Sequence, residues 1–143
     1  MISIDTNILF YATFDDSIQH TKAIEFLNDL NISRANVVLC ELVLSELYLL
    51  LRNPVVYTKP MTGKAAVEII KNYRKHPHWR IVENAPVMEE VWKLAASPSF
   101  ARRRLFDIRL ALTLQHHRVT HFATANSKDF KGLGFEKVWN PLK

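Results

Sequence analysis

Short runs of β-branched and aromatic residues alternate along this chain with longer stretches patterned for helix, and few folds accommodate that order. Residues 2–4, 36–39, 79–82, 120–123 and 136–139 read as strands. Helices are expected over residues 8–14, 20–30, 41–52, 62–75, 85–96 and 105–117. Ile24, Leu27 and Leu30 recur at helical spacing in the second of these, and Ala66, Ile69, Ile70 and Tyr73 share one face of the fourth. Pro54 stops the third. Strands that alternate with helices build a parallel sheet covered on both faces. The expected architecture is therefore α/β: a three-layer α/β/α sandwich with a mostly parallel sheet of about five strands. At 143 residues the chain is long enough for one core and too short for two, so residues 1–143 are expected to form a single domain.

Several classes of protein fall away early. One cysteine, Cys40, allows neither an internal disulfide nor a cysteine zinc cluster, and its apolar neighbours suit a buried structural thiol in a reducing compartment. The longest apolar run, Leu47 to Leu51, is far short of a membrane span. The chain opens on an apolar strand without a basic leader region, so export is not expected and the cytoplasm is. No Gly-rich phosphate loop or nucleophile-elbow serine is present. His116 and His117 are adjacent on a helix and diverge, while His76 and His78 flank Pro77 with no carboxylate at zinc-site spacing. The three tryptophans read as core.

Four acids stand in conspicuously apolar stretches. Asp5 ends the first strand, Glu46 lies inside the run Leu42 to Leu51, Asp107 interrupts a helix between Phe106 and Ile108, and Asp129 falls between Lys128 and Phe130. Each has an ordinary explanation. Asp5 can cap the helix beginning at Thr6; Glu46 can pair with an arginine; Asp107 can pair with Arg103 or Arg104 one turn back; Asp129 can cap a turn. Together they suggest convergence, because a carboxylate in apolar surroundings needs a partner or a metal. Asp5 at the carboxyl end of strand one and Asp129 after strand four both fall on the rim where ligands of open α/β sheets gather. An oxygen-rich acidic site suits hard divalent cations, Mg²⁺ or Mn²⁺. Setting the four aside leaves ten acids against 19 Lys and Arg, a basic shell appropriate to a phosphodiester polyanion. Arg102-Arg103-Arg104, just before Asp107, is the best local candidate for phosphate contact, with a solvated surface run or internal pairing to the acids as the alternatives.

Asp5-Thr6-Asn7, Ser45-Glu46-Leu47, Phe106-Asp107-Ile108-Arg109-Leu110-Ala111 and Thr124-Ala125-Asn126-Ser127-Lys128-Asp129-Phe130, in this order, resemble the PIN domain, and more closely the VapC-type toxins of bacterial toxin–antitoxin pairs. The ending from Gly132 to Leu142 is also similar to that subgroup. The resemblance implies a metal-dependent endoribonuclease, dimeric and held inactive by a VapB-type antitoxin, whose targets are transfer or ribosomal RNA. Residue by residue it implies that Asp5, Glu46, Asp107 and Asp129 are the catalytic, metal-holding quartet. Thr6, Asn126, Arg103 and Arg104 are the further residues expected toward substrate. Asn126 departs from the family pattern, which has an acid there in many members. The apolar loop Asn53 to Tyr57 reads as an interface, with Leu47, Leu50 and Leu51 as candidate groove residues. The rival reading is a catalytically silent PIN-like module that binds RNA or protein. A phosphatase working through an aspartyl-phosphate is disfavoured, since Asn7 occupies the place of its second acid.

Overall fold

The computed structural model describes residues Met1–Lys143, and its centre is the shortest class of strand. β1 (Ile2–Ile4), β2 (Val37–Cys40), β3 (Trp79–Val82), β4 (His121–Ala123) and β5 (Lys137–Trp139) form one sheet in the order β3-β2-β1-β4-β5. Every pairing is parallel. The helices are α1 (Thr6–Thr13), α2 (His20–Ser33), α3 (Glu41–Leu51), α4 (Gly63–Arg74), α5 (Met88–Ala95), α6 (Leu105–His116) and α7 (Ser127–Phe130), with a 3₁₀ turn at Arg102–Arg104 before α6. α1 packs on α2 and α3, α3 on α4, and α5 on α6. The α/β sandwich expected from the alternation is present, with the sheet wholly rather than mostly parallel. No helix is long and apolar enough to cross a membrane.

The core explains the strand assignments. β2 is buried along its whole length, as a central parallel strand must be, and Cys40 ends it inside the core, where burial pushes the thiol upward. Ile4, Ile8, Leu9, Leu39, Leu44, Leu47, Leu51 and Phe122 are fully enclosed. The second helix uses Ala23, Leu27 and Leu30 as its inner face, leaving Ile24 outside. Of the tryptophans only Trp79 is buried; Trp92 is 57% exposed. Tyr57 of the apolar loop packs against Phe10 and Phe14, whereas Val55 and Val56 face solvent.

The connection from β4 to β5 is held by aromatic rings. Phe122, fully buried, lies 4.7 Å from Phe130 and 5.2 Å from Phe135, which clamps both α7 and the turn after it to the sheet. In that turn Gly134 has φ +108°, and a Cβ there would run into Oε1 of Gln115. The Gln115 amide Nε2 donates to the Leu133 carbonyl at 2.8 Å, so moving it aside sacrifices that bond. Gly132 also has a positive φ, +79°, but nothing within reach of an added Cβ. Gly134→Ala is therefore expected to cost about 2–4 kcal/mol in urea denaturation and Gly132→Ala only about 1. Equal losses would remove the role given to Gln115.

Candidate active site

Strand order fixes where a site can form. β1 leads through α1 and α2 to β2 on one side, while β4 lies on its other side, so the chain's direction of winding reverses between β1 and β4. The carboxyl ends of such a pair splay apart and leave a crevice. β1 and β4 run in register, Ile4 beside Ala123, and Asp5 N–H donates to the Ala123 carbonyl at 2.8 Å. Asp5 and Thr124 consequently emerge side by side at the crevice, although 119 positions separate them.

Asp5 is the best-defined group. It caps α1, accepting from the Thr6 amide at 2.8 Å through Oδ1. Its Oδ2 accepts from the Thr124 hydroxyl at 2.6 Å and from Asn7 Nδ2 at 3.5 Å. The helix-cap explanation is thus correct and incomplete: only Oδ1 serves the cap, and Oδ2 is held separately by Thr124 and Asn7. Burial pushes the Asp5 carboxyl up to about 6, against the bonds from Thr124 and Thr6, with Glu46 and Asp107 adding repulsion. Burial also raises Asp107, reinforced by Asp129 and Glu46 and opposed by Arg104. The four acids feel one another.

They also line one cleft of about 450 Å³, together with Thr6, Asn7, Asn126, Arg109 and the apolar residues Leu42, Leu49, Leu50, Phe106, Leu110 and Phe130. The apolar setting expected for all four holds for Asp5 alone. Asp107 is half-buried, and Glu46 and Asp129 are exposed. α3 buries Val43, Leu44, Leu47 and Leu51, and its other side opens on the cleft, so an all-apolar helix need not be enclosed on every face. Leu47 and Leu51 are core; Leu42, Leu49 and Leu50 are the residues facing the cleft.

The remaining candidates separate. Thr6 is buried, its hydroxyl facing both Glu46 Oε2 at 3.0 Å and the Val43 carbonyl at 3.3 Å, so it orients Glu46 instead of reaching outward. Asn126 is on the cleft wall, its backbone N–H donating to Thr124 Oγ1 at 3.0 Å. Arg104 does not line the cleft: its Nη2 donates to the Asp129 carbonyl at 3.1 Å, and it lines a second cavity between α5, α6 and the turn of residues 132–134. Arg103 is exposed and lines neither. Arg109, further along α6, is the arginine that lines the cleft. Glu41 is occupied by Arg74 at 2.7 Å and plays no part here. Sequence reasoning missed three participants: Thr124, Arg109 and Phe106. All three lay in motifs already singled out, and only the register of β4 and the face of α6 could promote them.

The donor set fits a hard cation held loosely. No three carboxylates, imidazoles or thiols close into a cage. Mg²⁺ needs no such cage, since it keeps several waters and binds through one or two carboxylates plus substrate phosphates. A buried carboxylate resisting its own charge, faced by three others, favours a divalent ion on electrostatic grounds.

Residues 2–136 match the family model described as the PIN domain. The chain is 55% identical over 142 residues to ribonuclease VapC24 of Mycobacterium tuberculosis, covering 99% of this chain and 97% of that protein. Among solved structures, VapC20 of M. tuberculosis, a sarcin–ricin loop cleaving toxin, superposes with a TM-score of 0.68 at 18% identity over 94% of this chain and 96% of that one. FitAcB of Neisseria gonorrhoeae gives 0.63 at 21% identity over 99% and 98%. At these identities the superpositions speak for the fold.

Proposed function

This chain belongs to the PIN domain family, and from that premise we propose that it is an endoribonuclease, the toxin of a toxin–antitoxin pair. The observation that carries the reading is the buried, charge-resisting Asp5 facing three further acids in one cleft of a net-basic chain. The 55% identity to a named ribonuclease over nearly the full length supports the substrate class. We assign catalysis and metal binding to Asp5, Glu46, Asp107 and Asp129, with Mg²⁺ or Mn²⁺ as the ion, in one domain of residues 1–143. Transfer or ribosomal RNA is the proposed target. A VapB-type antitoxin is the proposed inhibitor, laid along the apolar wall of Leu42, Leu49 and Leu50, and the functional unit is a cytoplasmic homodimer.

A divalent ion bound here would lower the pKa of an attacking water and neutralise charge building on the phosphate. The protein's own groups do the rest. Thr124, Asn7 and the Thr6 amide fix the Asp5 carboxylate, and the Thr6 hydroxyl fixes Glu46. Asp107 and Asp129, both on the cleft wall, are the carboxylates proposed to take up the proton released in the attack. Arg109, in the cleft and in neither of the two salt bridges, is available to a phosphate oxygen.

The test is cleavage of structured total RNA by purified, antitoxin-free protein with Mg²⁺ or Mn²⁺, against EDTA and against Glu46→Gln. Discrete fragments that vanish with EDTA and fall at least about 10-fold with Glu46→Gln are expected. Folded wild-type protein that cuts no RNA in either metal would shift the reading to the silent binding module.

A further inference from the structure

Phe106 is 73% exposed on the rim of the acidic cleft, and it stands outside the hydrophobic core. A single exposed ring is ordinary in itself; its neighbours make this one informative. It occupies the first turn of α6, one residue before Asp107, directly after the 3₁₀ turn of Arg102–Arg104. Arg109 lies three residues on, on the same helix face and in the same cleft. Arg102 and Arg103 are exposed, and neither they nor Arg109 take part in a salt bridge. An aromatic face flanked by unneutralised cations, at the edge of an acidic centre, matches a chain that presents phosphate and a flat base alternately.

We infer that Phe106 is a stacking platform for the nucleobase beside the scissile phosphate, with Arg109 and the exposed arginines before α6 tracking the neighbouring phosphates. This rests on the RNA-cleaving reading above and narrows it. A ring at the rim takes a base that is free of its duplex partner, so the substrate is single-stranded at the cut, as in a loop. Stacking is tolerant of base identity, so Phe106 supplies affinity and position and leaves sequence choice to other contacts. An RNA base is favoured over an apolar peptide because Arg102, Arg103 and Arg109 all lie within four residues of the ring along the chain and outside any salt bridge, whereas the apolar residues Leu42, Leu49 and Leu50 belong to a different helix, α3.

The experiment pairs steady-state cleavage of a looped RNA in Mg²⁺ with fluorescence titration, in EDTA, of a short single-stranded RNA carrying 2-aminopurine. Phe106→Ala is expected to raise KM and the dissociation constant by about 5- to 100-fold, with kcat much less changed. Phe106→Trp should restore both values and the quenching of 2-aminopurine, and Phe106→Leu should restore neither. Wild-type KM in Phe106→Ala, or equal rescue by Leu and Trp, would overturn the inference. So would loss of activity accompanied by dissociation of an oligomer in sedimentation, which would make Phe106 a subunit contact. Wild-type protein that binds the probe through Phe106 and yet cuts nothing would overturn the nuclease reading and leave the platform standing.

Discussion

Asp5→Asn is expected to lower RNA cleavage by more than about 100-fold while making the metal-free protein more stable at neutral pH. The first effect removes the one acid whose two oxygens are both positioned by the fold, where changes to outer partners alone reach 10- to 100-fold. The second follows from linkage. The folded carboxyl titrates at about 6 against an ordinary 3.8, chiefly through burial. Between those values the folded protein holds more protons than the unfolded chain, so wild-type stability falls as pH rises through the window, and the deficit is complete above about 6. The gap corresponds to about 3 kcal/mol at neutral pH. Asparagine escapes it and forfeits part, because its amide nitrogen cannot accept the Thr124 hydroxyl, a loss of about 1 kcal/mol. The net gain is about 1–2 kcal/mol, read as a urea midpoint in EDTA. It should be absent at pH 4, open through pH 6 and hold to pH 8. A gap that ignores pH, or a variant weaker throughout, would contradict the burial account of Asp5. Added Mg²⁺ or Mn²⁺ should stabilise the wild type and close the gap, since the ion binds only the folded carboxylate.

How far the sequence discloses such a site depends on the distance over which each feature is written. The sheet and its helices are local patterns, and residues 2–4 and 79–82 emerge with their expected ends. α7 escapes because four residues are too few to display a helical period; its existence depends on Phe130 packing on Phe122. The quartet is legible as a list, since acids interrupt apolar runs, but the reason they stand there is only partly as expected. Asp5 alone is buried, while Glu46 and Asp129 are exposed because one side of α3 and the outer side of α7 face a cleft. The triple arginine illustrates the opposite failure. Its composition advertises phosphate contact, yet the turn aims Arg104 at the Asp129 carbonyl, and Arg109 enters the cleft instead. Direction around a helix decides that, and composition does not encode it. Thr124 is the plainest case, because its role arises from a strand pairing across nearly the whole chain.

Thr124→Val should therefore damage the site nearly as much as losing a ligand, while leaving the sheet intact. Valine matches threonine in shape and β-propensity, so the strand end should hold. The hydroxyl it removes has three tasks: it donates to Asp5 Oδ2 at 2.6 Å and accepts from the Asn126 amide at 3.0 Å and from Asn7 Nδ2 at 3.4 Å. Its loss frees the Asp5 carboxylate to turn, strips its strongest stabilising bond and pushes the carboxyl further above about 6. It also leaves the Asn126 amide without that acceptor, which loosens the start of α7 and with it Asp129. Cleavage and divalent affinity should both fall by about 10- to 100-fold. Stability should fall by about 1–3 kcal/mol, the cost of a buried polar group losing its partner. Thr124→Ser, which keeps the hydroxyl, should recover most of each. The discriminating readout is metal affinity by calorimetry in the absence of RNA. If valine weakened the fold while binding Mn²⁺ like the wild type, Thr124 would be a structural strand end and the positioning of Asp5 would lie with the Thr6 amide and Asn7.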